Sequence, residues 1–534
     1  MAKQIMFDDA GRRKMRQGIE KLADTVRVTL GPTGRNVMIG LGGKAKITKD
    51  GDSIAREIEV EDPFENMGAK LVNEVSSRTN KEAGDGTTTS VVLAEALVQE
   101  GSRFVAAGAN PIALRNGMHK AANAVSKYLT DELARPVSGK KEIEHVATIA
   151  SNGDTQIGKV LAEAMTKVGS NGVVTVEKGE GVDVVLDYVP GIEFDKGYIS
   201  PYFVTDKAEM TATLEKPLLL ITDQKISNIR DLVPVLEKVV ASKRPLLVVA
   251  DDVDGEALAG LLINRLRGVI NCVAIKAPAF GDRRKAMLED LAVQTGGAFL
   301  AKDLGLDWDK VDLSHLGSCQ RVEVEKGRTI FFKGKGAADA IEARMQQIRA
   351  QIEQTTSDYD KEKLQERLGR LEGKIAVVRV GGFTEAEIDE KEARVEDALN
   401  ATRAAMEEGI VPGAGTAFVR AAEAIGTAKA RGDEKYGVEV VTRALRRPLN
   451  QLAENVGIDG PAVVAEVEEL ETDWGFDASK NRMCDLVGAG IVDAAKVLRI
   501  GLQNAVSIAS LHLVSDALIT DISEESDAAV GAVQ

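Results

Sequence analysis

Both ends of this chain carry a helical period and its middle does not, and that change of pattern constrains the fold more than any single motif. Asp9 to Val28 is amphipathic and closes on Thr29-Leu30-Gly31-Pro32, where glycine and proline stop a helix. Glu65 to Asn80 reads as a second helix, and the chain returns to helices after Glu408. Between Gly191 and Gly336, short apolar runs (Leu218–Ile221, Leu246–Val249, Val273–Ile275) alternate with helical patterns, which is an α/β signature. Ala337 to Glu372 gives two charged amphipathic helices, Ile375 to Val380 a strand, and Thr384 to Glu408 a long helix. At 534 residues the chain is too long for one core, so two to four domains are expected.

Composition narrows the function classes. Aromatics are 4%, so the cores must be built from Ala, Val, Leu and Ile. A net charge of −15 without a basic cluster argues against a nucleic-acid partner. Cys272, Cys319 and Cys484 are odd in number and far apart, which excludes a disulfide framework or a cysteine zinc site. The four histidines are scattered and are expected on the surface or hydrogen-bonded in the core. The opening Met1-Ala2-Lys3-Gln4 has no apolar leader and no stretch approaches eighteen apolar residues, so the expectation is a cytoplasmic protein with no membrane partner.

One segment points to chemistry. Ala83-Gly84-Asp85-Gly86-Thr87-Thr88-Thr89 places two glycines around a carboxylate and three hydroxyls at the start of an apolar helix. A helix N-terminus offers unpaired N–H groups to an anion, glycine lets backbone approach closely, and Asp85 suits a hard cation such as Mg²⁺. An ordinary turn and N-cap uses the same residue types. Three consecutive threonines favour a nucleotide phosphate site. Thr29–Gly34, Thr48-Lys49-Asp50-Gly51, Gly413-Ala414-Gly415 and Ile491-Val492-Asp493 are weaker candidates, each also explicable as a turn or strand end. The glycine-rich stretch Gly40–Ala45 matches neither a P-loop nor a dinucleotide turn and is discarded.

Two helical features are unusual. Asp397 falls opposite the apolar face formed by Val395, Ala398, Leu399, Thr402 and Met406, which suits either a solvated carboxylate or a base held toward a ligand. Over Ala257–Arg267 the apolar positions spread across about 240° of the wheel, far wider than a core stripe. Asn228–Val240 is similar. Such helices are either enclosed or present a sticky surface.

Together these pieces resemble the bacterial group I chaperonins of the GroEL type over essentially the whole chain. The resemblance is carried by Thr29–Pro32, Thr48–Gly51, Phe64–Ala69, Ala83–Thr89, Gly197–Phe203, Gly281–Lys285 and Ala393–Leu399. It implies a multidomain α and α/β fold. A largely helical equatorial ATP-binding domain would span 1–132 and 409–534, a small hinge-like intermediate domain 133–189 and 376–408, and an α/β apical domain 190–375. It further implies an ATPase that folds non-native polypeptides, seven-membered rings of itself stacked in two, and a GroES-type co-chaperonin.

Carried over by position, Thr29, Leu30, Gly31, Pro32, Lys49, Asp50, Asp85, Gly86, Thr87, Thr88 and Thr89 would surround the phosphates of ATP, with Asp85 on Mg²⁺ and K⁺ a further candidate ion. Gly413, Ala414, Gly415, Asp477, Ala478, Ser479 and Asp493 would contact adenine and ribose, and Asp397 would orient or deprotonate the attacking water. Tyr198, Tyr202, Phe203, Val233, Leu236, Leu258, Leu262 and Ile263 would bind clients and the lid.

The chain departs from that family pattern at Ala414 (usually glycine), Asp477 (asparagine) and Asn450 (a basic residue), and in an acidic tail over Ser523–Gln534. The departures at Asn450 and in the tail motivate one alternative, a lidless holdase. A metabolic kinase using the same phosphate site is the other.

Overall fold

The computed structural model describes residues 3–521 apart from 42–43, 170–171, 180, 208, 302–307, 356 and 426–428. The acidic tail and part of the Gly40–Ala45 stretch therefore lie outside the described residues. The chain forms two compact units, one comprising Met1–Ser170, Val176–Leu186 and Val378–Gln534, the other Asn171–Thr175 and Asp187–Val377.

The first unit is helical. Its core joins Ile19, Leu22 and Val26 of the helix Asp8–Arg27 to Val72 and Val75 of Pro63–Ala83, Leu93 and Leu97 of Thr87–Ala106, and Leu502 and Val506 of Ala495–Val514. With so few aromatics, the helices must approach closely to exclude water, and two glycines allow it. A Cβ on Gly18 would lie 1.7 Å from the Glu65 carbonyl oxygen, and one on Gly68 would lie 1.9 Å from that of Met15. The helix Ala495–Val514 is long and apolar enough on average to cross a membrane, although Lys496, Arg499, Gln503 and Asn504 interrupt its apolar residues, and its most apolar window is 72% buried inside this unit. It is a core helix.

Strands form at the two ends of the chain as well, where the sequence pattern gave only helices. Lys3–Phe7 pairs antiparallel with Ala517–Asp521, with Ile5 opposite Ile519. Val37–Leu41 and Lys44–Thr48 form a separate hairpin.

His512 corrects another expectation. It is 1% exposed, and among the described residues neither ring nitrogen has a hydrogen-bond partner. Burial, with Arg12 and Arg16 nearby, pushes its pKa down to about 4. The folded state holds it neutral while the unfolded chain takes up a proton below its ordinary value of about 6.5, so stability is full above that pH and falls as pH drops toward 4. The loss amounts to about 3 kcal/mol. His512→Leu is expected to flatten the dependence of melting temperature on pH across that window; an unchanged slope would contradict the assignment.

The second unit is α/β. Leu218–Thr222, Leu246–Ala250 and Cys272–Lys276 run parallel, with Leu219 beside Leu247 and Leu247 beside Val273. The helices Ile229–Ser242 and Gly255–Leu266 are their crossovers. All three strands are apolar up to the polar ends Thr222 and Lys276 because parallel strands are covered on both faces. Leu218–Thr222 also meets the antiparallel strand Gly317–Val324, which continues the sheet through Thr329–Gly334 to Val185–Phe194. The charged helices Ala338–Gln354 and Asp358–Glu372 are fastened by the buried carboxylate of Asp290, which accepts from Arg344 at 2.7 Å and Arg367 at 2.8 Å.

Candidate functional site

The first unit contains a cleft of about 340 Å³, within the range of a small-molecule site. It is lined by segments far apart in the chain: Thr29–Pro32, Thr48–Gly51, Asp85–Thr89, Asp397, Ala414–Gly415, Asp477–Ser479 and Asp493. Every position assigned to the nucleotide from sequence, apart from Gly413, therefore lines one cleft.

Local structure explains the convergence. Gly84 (φ 70°) ends the helix Pro63–Ala83 and Gly86 (φ 77°) begins Thr87–Ala106, so Asp85 is held at a sharp reversal between two left-handed residues. A Cβ on Gly84 would lie 2.4 Å from Asn400, and one on Gly86 would lie 2.5 Å from Val497. The Gly86 N–H donates to Asp85 Oδ1 at 2.5 Å. No side chain caps Thr87–Ala106, which leaves the N–H groups of its first turn toward the cleft, where an anion would satisfy them. Thr29 and Thr88 bring their hydroxyls to 3.3 Å, tying the Thr29–Pro32 turn to that first turn. A Cβ on Gly51 would sit 2.6 Å from Thr88 Oγ1, so the Lys49-Asp50 turn is pressed against the same threonine. Opposite, Asp493 lies on a short strand paired with Ile410–Pro412.

Six carboxylates, those of Asp50, Asp85, Glu390, Asp397, Asp477 and Asp493, thus line one partly enclosed space, and the electrostatics of the inner ones follow. Burial, with the charge of Asp50 adding and the Gly86 N–H opposing, raises Asp85 to about 6. Burial and the charge of Asp85 raise Asp493 to about 7. Asp397 is pushed well above the ordinary carboxylate range by burial, then by Asp85 and Asp50. Asp397 is half-buried with its helix packed through Val395, Ala398 and Leu399, so the solvated-carboxylate reading of the sequence gives way to a side chain held in the cleft. Such a cluster favours a bound cation and a group able to take up a proton near neutral pH.

Among the described residues no three His, Cys, Asp or Glu side chains are arranged to hold a metal alone. The oxygen-rich donor set nevertheless fits Mg²⁺, which retains waters and phosphate oxygens and needs only one or two protein carboxylates.

Other placements sharpen or correct the sequence reading. Gly413 is buried behind the cleft, and its N–H is spent on the Ile491 carbonyl at 3.0 Å, so it does not line the site. Ala414 does line it, with φ 56°, a left-handed conformation in which its methyl is strained. Asp477 is 1% exposed; burial opposes its charge, but the Ser479 hydroxyl at 2.6 Å, the Ser479 N–H at 3.0 Å and Lys480 hold its pKa low. Its Oδ1 is thus occupied in shaping the turn, while Oδ2 is buried without a hydrogen-bond partner among the described residues, 3.4 Å from Lys480 Nζ. Asn152, Gly153, Glu390, Arg394 and the apolar wall of Phe418, Leu452 and Phe476 also line the cleft. Sequence reasoning did not place these there; Asn152-Gly153 reads only as a turn. Arg394 pairs with Glu390 at 2.7 Å and lies 3.7 Å from Asp154.

In the second unit the over-wide helix is not enclosed. Only Ala257 and Leu261 of Gly255–Leu266 are buried, while Ile263 is 48% and Leu266 72% exposed. Val233 and Val240 are exposed on the helix Ile229–Ser242, and Leu236, Leu258 and Leu262 are half-buried. Tyr202 is exposed, but Tyr198 and Phe203 are enclosed in the core and cannot meet a partner without unfolding. That corrects two of the eight apical assignments: their aromatic rings fill the space beneath the helices rather than covering them.

A model of the TCP-1/cpn60 chaperonin family matches residues 22–523 of the chain. Among solved structures, the fold is similar to that of the chaperonin gp146 from the bacteriophage EL 2 (Pseudomonas aeruginosa), crystallised in the presence of ATP-BeFx, with a TM-score of 0.70 and 21% sequence identity. The similarity covers 97% of this chain and 99% of that one.

Proposed function

Because the chain belongs to the TCP-1/cpn60 chaperonin family, we propose that it is an ATP-driven chaperone that captures non-native polypeptides on the second unit and hydrolyses ATP in the cleft of the first. The observation that carries this reading is the convergence of seven separate segments on one oxygen-rich cleft beside an uncapped helix start. The N–H groups and hydroxyls of Thr87–Thr89, with Lys49, hold the phosphates of ATP. Asp85 and Asp50 are placed to hold Mg²⁺, which when bound neutralises phosphate charge and orients the terminal phosphoryl group. Asp397 orients the attacking water and accepts its proton, a role suited to a carboxylate whose surroundings disfavour charge. The rim of Ala414, Ala478 and Asp493 receives the nucleoside.

Clients bind the exposed apolar stripe of Tyr202, Val233, Ile263 and Leu266, a surface that a monomer in water would otherwise leave bare. The same stripe receives the GroES-type lid. Self-assembly, which we extend to stacked seven-membered rings, is supported by two of the small sheets of the first unit, Lys3–Phe7 with Ala517–Asp521 and Val37–Leu41 with Lys44–Thr48. Ile5, Phe7, Met38 and Ile519 are each more than half exposed there, and isolated two-stranded sheets are marginal without a neighbour. The finer division of the first unit into equatorial and intermediate parts, and a cytoplasmic location, belong to this proposal.

Ile263→Ser tests the client surface, because Ile263 is exposed and lies outside the cleft-bearing unit. Capture of a chemically unfolded polypeptide is expected to weaken about tenfold, the equivalent of about 1.4 kcal/mol of lost apolar contact, while basal ATP turnover is unchanged. Undiminished capture would remove this surface from the account.

A further inference from the structure

One buried charge in the first unit has no part in the cleft itself. Asp52 is 2% exposed and does not line the cleft. It lies in the helix Gly51–Glu57, immediately after the Lys49-Asp50 turn, and its backbone N–H donates to the capping carboxylate of Asp50 at 3.1 Å. Its own carboxylate reaches across to the helix Pro63–Ala83. Oδ1 accepts from the Ser77 hydroxyl at 2.9 Å, and Oδ2 accepts from the Asn80 amide at 2.9 Å. Arg56, four residues on, pairs with it at 2.6 Å from a largely exposed position.

Asn80 connects in the other direction too. Its backbone carbonyl accepts from the Gly84 N–H at 2.7 Å, the bond that ends its helix just before Asp85. Thus one carboxylate joins the two segments that carry the phosphate-facing residues: Lys49-Asp50 on one side and Asp85–Thr89 on the other. A buried charge is costly unless paired, and an apolar side chain would pack the same space. What a carboxylate with directed donors adds over an apolar residue is a fixed register between the two helices.

We propose that Asp52 is a positioning residue that sets the Lys49-Asp50 turn against the Asp85–Thr89 turn, so that affinity for the triphosphate depends on its bonds to Ser77 and Asn80. The inference rests on the nucleotide reading of the cleft. Asp52 touches neither ligand nor reacting atoms, so its loss acts chiefly on binding; because its charge is also the last of those that push Asp397 up, Asn80→Ala, which keeps that charge, is the variant that isolates the positioning role from the chemical step.

The test uses the full-length protein, with equilibrium binding of Mg-ATP, steady-state phosphate release and thermal melting measured on the same preparations. Asp52→Ala removes both acceptors, and Asn80→Ala removes the amide donor while leaving Asp52 in place. Each is expected to raise the half-saturating Mg-ATP concentration about tenfold with kcat within about twofold. Arg56→Gln, which leaves both inter-helix bonds intact, is expected to change neither.

A lowered melting temperature with unmoved half-saturation, in whichever of the first two variants folds, would make Asp52 a purely structural residue and overturn the proposal. So would an equal shift in Arg56→Gln. Wild-type protein that binds no Mg-ATP would instead overturn the reading of the cleft, and the role of Asp52 with it.

Discussion

Asp397→Ala is expected to lower ATP turnover by about 10²- to 10⁴-fold while Mg-ATP binding stays within a few-fold of wild type. The argument starts from the helix Glu385–Glu408, which packs through Val395, Ala398, Leu399 and Ala401 and so fixes the angle at which Asp397 enters the cleft. Burial and the charges of Asp85 and Asp50 make its ionised form costly, so it gains by taking a proton. A base acts in the transition state and adds little to ground-state binding, which is why the loss should fall on kcat. Alanine leaves the phosphate-facing turns untouched, since Asp397 holds neither of them. Phosphate release measured beside equilibrium nucleotide binding separates the two quantities. Turnover undiminished in the variant would give the proton to another group; binding lost along with turnover would make Asp397 a ligand contact.

The second large effect is expected at Asp85, and it carries opposite signs with and without ligand. Asp85→Ala should weaken Mg-ATP binding about 100-fold or more, because the carboxylate placed for the cation between Gly84 and Gly86 is gone. The nucleotide-free protein should melt a few degrees higher, since a partly buried carboxylate raised to about 6 no longer faces Asp50 and Asp493. The sign follows from the raised value: charging Asp85 above pH 6 costs the folded state more than the unfolded one, so its removal stabilises at neutral and higher pH. Melting curves with and without Mg-ATP read both effects. A variant that melts lower than wild type without ligand, or that keeps the ATP-induced rise, would contradict the placement of Asp85.

Much of this was legible in the sequence because the relevant physics is local. The strands Leu218–Thr222, Leu246–Ala250 and Cys272–Lys276 announce themselves through the apolar runs Leu218–Ile221, Leu246–Val249 and Val273–Ile275. The Asp85 reversal is spelled by glycines that the structure uses at positive φ. What sequence pattern could not give is what depends on distant partners. The pairing of Lys3–Phe7 with Ala517–Asp521 joins the two ends of the chain, and neither segment alternates strongly enough to be read as a strand by itself.

Gly413 and Ala414 are neighbours in the same glycine-rich turn, yet only Ala414 reaches the cleft, because Gly413 is drawn back by Ile491. Tyr198 and Phe203 flank Tyr202 in one short aromatic segment. Which of the three faces outward is decided by the turn Pro201–Phe203 and by the sheet beneath it. The wide apolar wheel of Ala257–Arg267 favours enclosure on sequence grounds, and only the packing of its neighbours leaves Ile263 and Leu266 exposed. Asp52 is the extreme case. As an acidic residue in the first turn of a short helix it carries no signal, and its meaning lies in Ser77 and Asn80 on another helix.

The central claim is that one cleft turns over ATP and that this turnover is coupled to polypeptide capture. It is tested most directly by steady-state phosphate release from Mg-ATP by the full-length protein, with and without a chemically unfolded polypeptide. The account predicts saturable turnover, a rate that changes when the polypeptide is added, and loss of both in Asp397→Ala. Phosphate release no faster than in buffer, or a rate indifferent to both the polypeptide and Asp397→Ala, would contradict it.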